Sequence, residues 1–148
     1  MHEHFIIKIP DAVPLEKAGP IMCAGITMYT PLVHWGYKAA GEAGKVKTVG
    51  VVGLGGLGTM GVKLAKAMGH QVMVISTSAN KEAVAKEKGA DLFVVSTNEE
   101  SMKANNNKCD MIMNTVSADH QAMTYIPLLK ANGVLVQLGL VKAPHQIP

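Results

Sequence analysis

Cysteine is nearly absent from this chain: Cys23 and Cys109 are the only two among 148 residues. Two thiols cannot form a disulfide framework and no Cys-x-x-Cys pair offers a structural zinc site, so the composition points to a reducing compartment. Long apolar runs are missing as well. The N-terminal MHEHFIIKIP is broken by Lys8 and Pro10 before it reaches the length of a signal h-region, and no segment supplies the roughly 20 apolar residues of a membrane-spanning helix. A soluble cytoplasmic protein with no membrane partner is the expectation. Charge of one sign is scarce too. Fourteen Lys plus Arg against eleven Asp plus Glu leave a net +3, too small and too scattered to mark a nucleic-acid partner, though it favours an anionic small ligand. Aromatic residues make up only 4%, a scarcity that selects no function class. With 48% apolar and 17% charged residues the chain reads as globular, and its length suits one domain with a real core.

What is present is a rhythm. From Val46 onward, short β-branched runs alternate with helix-sized mixtures of polar and apolar residues. The alternation predicts strands over 48–52 (TVGVV), 71–76 (QVMVIS), 92–95 (LFVV), 110–114 (DMIMN) and 134–138 (VLVQL). Helices are expected between them in LGTMGVKLAKAM, NKEAVAKEKG, EESMKANNN and ADHQAMTYIPLLK, the third weakened by its asparagines. Gly69, Gly89 and Gly133 stand where helix C-terminal glycines belong. Apolar strands joined by helical crossovers imply an α/β fold: a doubly wound parallel sheet of about five strands with helices on both faces and ligands beyond the strands' C-terminal ends. Residues 46–148 read as this Rossmann-type domain. Residues 1–45 read as a lead-in to it, with a short strand in FIIKIP and helical signals interrupted at Pro14, Pro20 and Pro31.

The stretch VGVVGLGGLGTMG holds six glycines, five of them directly behind the first strong strand. Glycine inside regular structure costs roughly 0.5–1 kcal/mol relative to alanine, so this bare backbone needs a reason. Gly53, Gly55 and Gly58 satisfy GxGxxG in the strand-to-helix context that the motif requires. Gly53 permits the tight turn, Gly55 lets backbone approach a pyrophosphate, and Gly58 lets the helix pack closely on the strand. Gly56 loosens the loop further, and the helix start offers N–H groups and a positive dipole end to phosphate. The end of the second strand selects the dinucleotide, because a carboxylate there bonds the ribose 2′-OH of NAD. This chain has no carboxylate in Ser76-Thr77-Ser78-Ala79-Asn80-Lys81. Hydroxyls and one ammonium suit a 2′-phosphate, which predicts NADP(H) over NAD(H). Capping of the following helix by Ser78 or Asn80 is the alternative role, and the two can coexist.

LEKAGPIMCAGITMYTPLVHWG, VGVVGLGGLG, VISTSANK, KEKGAD, NTVSA and LLKANGVLVQLGL, in this order, resemble the cofactor-binding half of the zinc-dependent medium-chain alcohol dehydrogenases, most closely the cinnamyl alcohol dehydrogenase branch. The resemblance spans nearly the whole chain. It implies reversible NADP(H)-linked reduction of aldehydes to primary alcohols at a catalytic zinc. By the same resemblance Cys23 matches one protein ligand of that zinc, and Thr27 matches a catalytic-site threonine near the nicotinamide. Gly53, Leu54, Gly55, Gly56, Leu57 and Gly58 match the pyrophosphate loop; Ser76, Thr77, Ser78 and Lys81 match the 2′-phosphate pocket. Thr115, Val116, Ser117 and Gly139 match the loops that hold the nicotinamide ribose and carboxamide.

The chain departs from that family in its chemistry. The upstream domain that supplies the other zinc ligands, the four-cysteine structural zinc site and the final strand of the family's sheet have no counterpart in these residues. Cys23 is then one ligand of an incomplete set, and its alternative role is that of a small buried apolar residue. His2 and His4 read as solvated terminal side chains, His34, His70, His120 and His145 as surface or packing residues, and Cys109 as core. The leading expectation is cofactor binding with little catalysis by the chain alone. A stand-alone nucleotide-sensing module and a zinc-independent reductase of the same superfamily are the other readings. An open edge at VLVQL suggests a homodimer.

Overall fold

A computed structural model describes residues 2–37 and 46–142. Its five strands are β1 (Thr48–Val52), β2 (Gln71–Ser76), β3 (Leu92–Val95), β4 (Cys109–Asn114) and β5 (Leu129–Gln137). All pair in parallel in the order β3-β2-β1-β4-β5. The helices are α1 (Leu15–Pro20), α2 (Ile26–His34), α3 (Gly56–Ala67), α4 (Glu82–Glu87) and α5 (Glu99–Lys103). A π-helical turn, Ile21–Gly25, joins α1 to α2 just after Pro20, whose missing N–H breaks the regular ladder.

The strand pleat divides the core into two layers. Val49 and Val51 of β1, Val72 and Val74 of β2, and Met111 and Met113 of β4 point to one face, where Met28, Leu32, Val62 and Ala85 cover them. Val52, Met73, Ile75, Val94 and Ile112 point to the other, under Met102, Tyr125 and Leu128. All five residues of β1 are buried, as a central parallel strand covered on both faces requires. Gly50 belongs to this packing: a Cβ there would sit 2.9 Å from Ile112 Cγ1 and 3.1 Å from Cys109 Sγ. The segment before β1 shares the first layer, since Met28, Leu32 and Tyr37 are buried in it. Gly61 of α3 gives Met28 its space; a side chain at that position would overlap the methionine's terminal methyl.

Several expectations need correction. No strand forms in FIIKIP: Glu3–Phe5 is a 3-10 turn and residues 6–10 take no regular element. Pro31 lies inside α2 without interrupting it. The helix predicted over 118–130 is a 3-10 segment, Ala122–Leu128, with Pro127 inside it. Its end is pulled toward the sheet, because the Pro127 and Leu128 carbonyls accept N–H groups of Asn107 and Lys108 at 3.0 Å each. Gly133 is not a helix C-terminal glycine. It lies within β5, which starts earlier than predicted and bulges: Cys109 pairs with Leu129 but Met111 with Val134, and Asn132 takes φ 63°. The helix in 99–107 ends at Lys103, where Asn105 Nδ2 donates to the Ser101 carbonyl at 2.7 Å and diverts the backbone. Gly69 and Gly89 do terminate helices, at φ 81° and 110°.

The β1–β4 neighbours are where the winding reverses, and the crevice beyond the C-terminal ends of such strands is the ligand position of open α/β sheets. The opposite rim carries carboxylates. Asp110 Oδ2 accepts the Thr48 N–H and the Lys130 ammonium, each at 2.8 Å, and Asp91 Oδ2 accepts the Val72 N–H at 2.8 Å. Burial alone would raise the Asp110 pKa, but the Lys130 hydrogen bond and the Thr48 amide hold it below the ordinary carboxylate value. A depressed folded pKa adds stability above the unfolded value, about 3.9, and that stability is lost as pH falls through the folded one. Asp110→Asn is therefore expected to lower the urea midpoint at pH 7, with the gap from the wild-type chain closing below about pH 4; parallel urea titrations at the two pH values measure it.

Candidate functional site

The chain leaves β1 at Val52 and turns through Gly53, whose φ of 87° suits glycine. The Gly53 N–H donates to Ile75 O at 2.9 Å, tying this turn to the end of β2. Helix α3 starts three residues later. A side chain at Gly58 would fall on the Gly53 carbonyl, so the first turn of α3 rests directly on the strand exit. Gly55 and Gly56 differ: both are exposed, and a Cβ on either would meet nothing within 4 Å. Leu54 and Leu57, on either side of them, are half-buried and pack against the first core layer. No side chain caps the α3 N-terminus and no acidic residue stands in its first turn. The loop thus combines a backbone lock at Gly53 and Gly58 with an open, electropositive shelf at Gly55 and Gly56.

The end of β2 lies next to this turn. Ser76 is buried and its Oγ accepts the Ser78 N–H at 3.3 Å. Thr77 and Lys81 are exposed, and Ser78 is half-buried. Ser78 stands at the N-cap of the 3-10 turn Ala79–Lys81 and Lys81 at that of α4, and neither makes a side-chain cap bond. The Ser78 hydroxyl and the Lys81 ammonium are not committed to capping, which leaves them for a ligand. The chain has no arginine, so all fourteen of its Lys plus Arg are lysines.

Beyond β4, the Thr115 N–H and Oγ1 both donate to Val52 O, at 3.1 and 2.7 Å. Thr115 Oγ1 and Val116 Cγ2 approach the space above Gly53. Gly139, after β5, lies against the loop so closely that a Cβ would overlap the Val116 carbonyl. Ser117 is exposed. The fold therefore gathers Gly53, Gly58, Thr115, Val116 and Gly139 at one rim, with Ser76, Thr77, Ser78 and Lys81 beside them. Thr27, in the first turn of α2, lines an open groove of about 470 Å³ together with Thr30, Pro31, Trp35 and, from the end of β5, Val136 and Leu138.

Cys23 is exposed in the π-helical turn. Among the described residues no three His, Cys, Asp or Glu side chains converge to hold a metal, so these residues do not fit a complete zinc centre. Cys109 is core, and burial, followed by the nearby Asp110 charge, pushes its thiol up to about 12, far from a reactive thiolate. His2 and His4 are exposed, as is His34; His70 is buried against Tyr37, ring centroids 5.6 Å apart; His145 lies outside the described residues. Sequence reading passed over Asn114. It is fully buried, its amide bonds Gln137 and His120, and its carbonyl accepts the Leu138 and Gly139 N–H groups. A polar residue ending a buried apolar strand was the available signal.

Sheet order, winding and glycine turn define a Rossmann-type α/β domain. The sequence profile of the zinc-binding dehydrogenases matches residues 56–148. A protein named "probable cinnamyl alcohol dehydrogenase" from Eucalyptus globulus is 47% identical over 145 residues, 97% of this chain and 39% of that protein; others of similar identity are named probable mannitol dehydrogenases. The solved cinnamyl alcohol dehydrogenase of Sorghum bicolor superposes with a TM-score of 0.89 at 42% identity, over 97% of this chain and 40% of its own. The structure of CAD from Helicobacter pylori complexed with NADP(H) gives 0.79 at 35%, over 94% and 37%. The chain belongs to the zinc-binding dehydrogenase family, and it corresponds to the cofactor-binding domain of the cinnamyl alcohol dehydrogenase branch. It spans about two fifths of the length of these curated relatives.

The glycine geometry makes a testable contrast. Gly58→Ala is expected to cost about 1–3 kcal/mol of stability through overpacking, whereas Gly55→Ala, at φ −93° with open space around it, stays within about 0.5 kcal/mol. Urea denaturation of the two variants separates the lock from the shelf.

Proposed function

We propose that this chain binds NADP(H) as the cofactor-binding half of a zinc-type alcohol dehydrogenase that reversibly reduces aldehydes of the cinnamaldehyde kind to primary alcohols. One observation carries the reading: an exposed glycine shelf at an uncapped helix start stands beside a strand exit that has hydroxyls and Lys81 but no carboxylate. The N–H groups at the start of α3 take the pyrophosphate. Thr77, Ser78 and Lys81 receive the 2′-phosphate, with Ser76 shaping the turn that presents them. Thr115, Val116, Ser117 and Gly139 frame the nicotinamide half, and Thr27 closes it from the side of α2. When bound, the nicotinamide supplies hydride transfer.

Cys23 does not complete a metal site with the described residues, so no catalytic step is assigned to this chain alone. The isolated chain binds cofactor without turning over aldehyde, and the remaining ligands come from elsewhere in the enzyme. Names among the relatives favour a second substrate class, polyols of the mannitol type. Self-association is part of the same proposal. Among the described residues β5 has β4 as its one neighbour, and two such edges can pair into a dimer.

Calorimetry with NADPH and NADH tests the cofactor assignment. NADPH is expected to bind tighter, and Lys81→Ala to weaken NADPH about tenfold, the loss of one charge-assisted contact, while leaving NADH unchanged. Equal affinity for the two coenzymes, or a preference for NADH, overturns the 2′-phosphate assignment. An assay of NADPH consumption with cinnamaldehyde is expected to stay at background with or without added zinc.

A further inference from the structure

The second half of a dinucleotide has only one place to go. If the adenine end lies at the exit of β2 and the pyrophosphate at the β1–α3 turn, the sheet order puts the other end above β4 and β5. Two short segments form that end: 115–118 after β4, and 138–139 after β5. Neither has a regular element of its own to hold it. We propose that Asn114 is the positioning residue of this half-site, a clamp that fixes both segments at once and so sets the slot for the nicotinamide; this rests on the NADP(H) reading above.

Asn114 ends β4 and is 0% exposed. Its side-chain Oδ1 accepts the Val116 N–H at 3.3 Å, and its Nδ2 donates to Gln137 Oε1 at 2.7 Å. The same Nδ2 lies 2.7 Å from His120 Nε2. His120 Nδ1 is 2.7 Å from the Ala118 carbonyl. A carbonyl can only accept, so Nδ1 carries the ring proton and Nε2 accepts the second Asn114 N–H. The Asn114 backbone carbonyl takes the Leu138 and Gly139 N–H groups at 2.9 and 3.0 Å, and Gln137 Nε2 donates to Gly139 O at 2.7 Å.

Each segment is therefore held from both ends. Val116 and, through His120, Ala118 are tied to the Asn114 amide; Leu138 and Gly139 are tied to its carbonyl and, through Gln137, to its amide again. The Val116 carbonyl rests on the Gly139 α-carbon with no room for a Cβ, so the two backbones share a fixed spacing. An aspartate at 114 keeps an acceptor for Val116 but has no hydrogen to give Gln137 Oε1 or His120 Nε2. It would break two of the three side-chain bonds with almost no change in volume.

The experiment compares whole and half cofactors on the full chain, by calorimetry. Adenosine 2′,5′-bisphosphate carries the adenine end alone, whereas NADPH engages both ends. For Asn114→Asp we expect NADPH to weaken at least tenfold while the bisphosphate stays within twofold of the unaltered chain. Gln137→Ala, at an exposed position, keeps Asn114 and the fold and is expected to produce the same split at smaller size. A merely structural role for Asn114 lowers both affinities together. That result, unchanged NADPH binding in both variants, or equal affinity of the unaltered chain for the two ligands overturns the clamp. An unaltered chain that binds neither ligand overturns the NADP(H) reading itself and the clamp with it.

Discussion

The structure depends on a contact in which neither partner contributes a side chain: the α-carbon of Gly58 against the carbonyl of Gly53. It brings the start of α3 down onto the end of β1, so that only Gly53, Leu54 and Gly55 separate helix from strand. A methyl group in that space would lift the helix and separate the layer that joins Val62 to Val49 and Val51. The same contact points the first turn of α3 outward, over Gly55 and Gly56, with its N–H groups uncapped. Close packing and an open anion shelf are two results of one backbone geometry.

A second backbone contact, Gly139 on Val116, repeats the device two strands away. Between them the rim above β1, β4 and β5 is built almost wholly from main chain and from short polar side chains that bond main chain. Thr115 ties β4 to Val52, and Asn114 ties β4 to the exit of β5. The two carboxylates that bond strand amides and the lysine beside the glycine turn lie at opposite rims. Asp91 and Asp110 serve the first amides of the strands at the N-terminal rim, whereas Lys81 stands at the C-terminal rim with no carboxylate in the 76–81 run. The carboxylates stabilise the fold from the rim opposite the glycine turn.

How far the residues could be read in advance follows from where their interactions lie. Strands 48–52, 71–76 and 92–95 match the structure residue for residue, because a strand buried on both faces must be apolar throughout and its turn signals are local. The 118–130 segment looked helical by composition, yet it is a 3-10 turn whose carbonyls bond Asn107 and Lys108, partners that no local pattern announces. Gly133 resembled a helix terminator for the same reason: its use in a bulge depends on the register between β4 and β5. In the site, Gly53 and Gly58 were legible from spacing, whereas Asn114 was marked only by its polarity at the end of an apolar strand. A single asparagine gains meaning only when Gln137 and His120, 23 and 6 residues away, are brought to its amide.

The order of residues by itself determined the class of fold, the glycine turn and the absence of a carboxylate at the end of β2, since alternation, glycine spacing and charge are properties of neighbours along the chain. Tertiary structure alone decided which residues meet across strands: the reversal of winding between β1 and β4, the contact of Gly139 with Val116 and the buried amide that joins two exit loops. Those depend on distances between atoms far apart in the chain, and the order and register in which the strands pair set them.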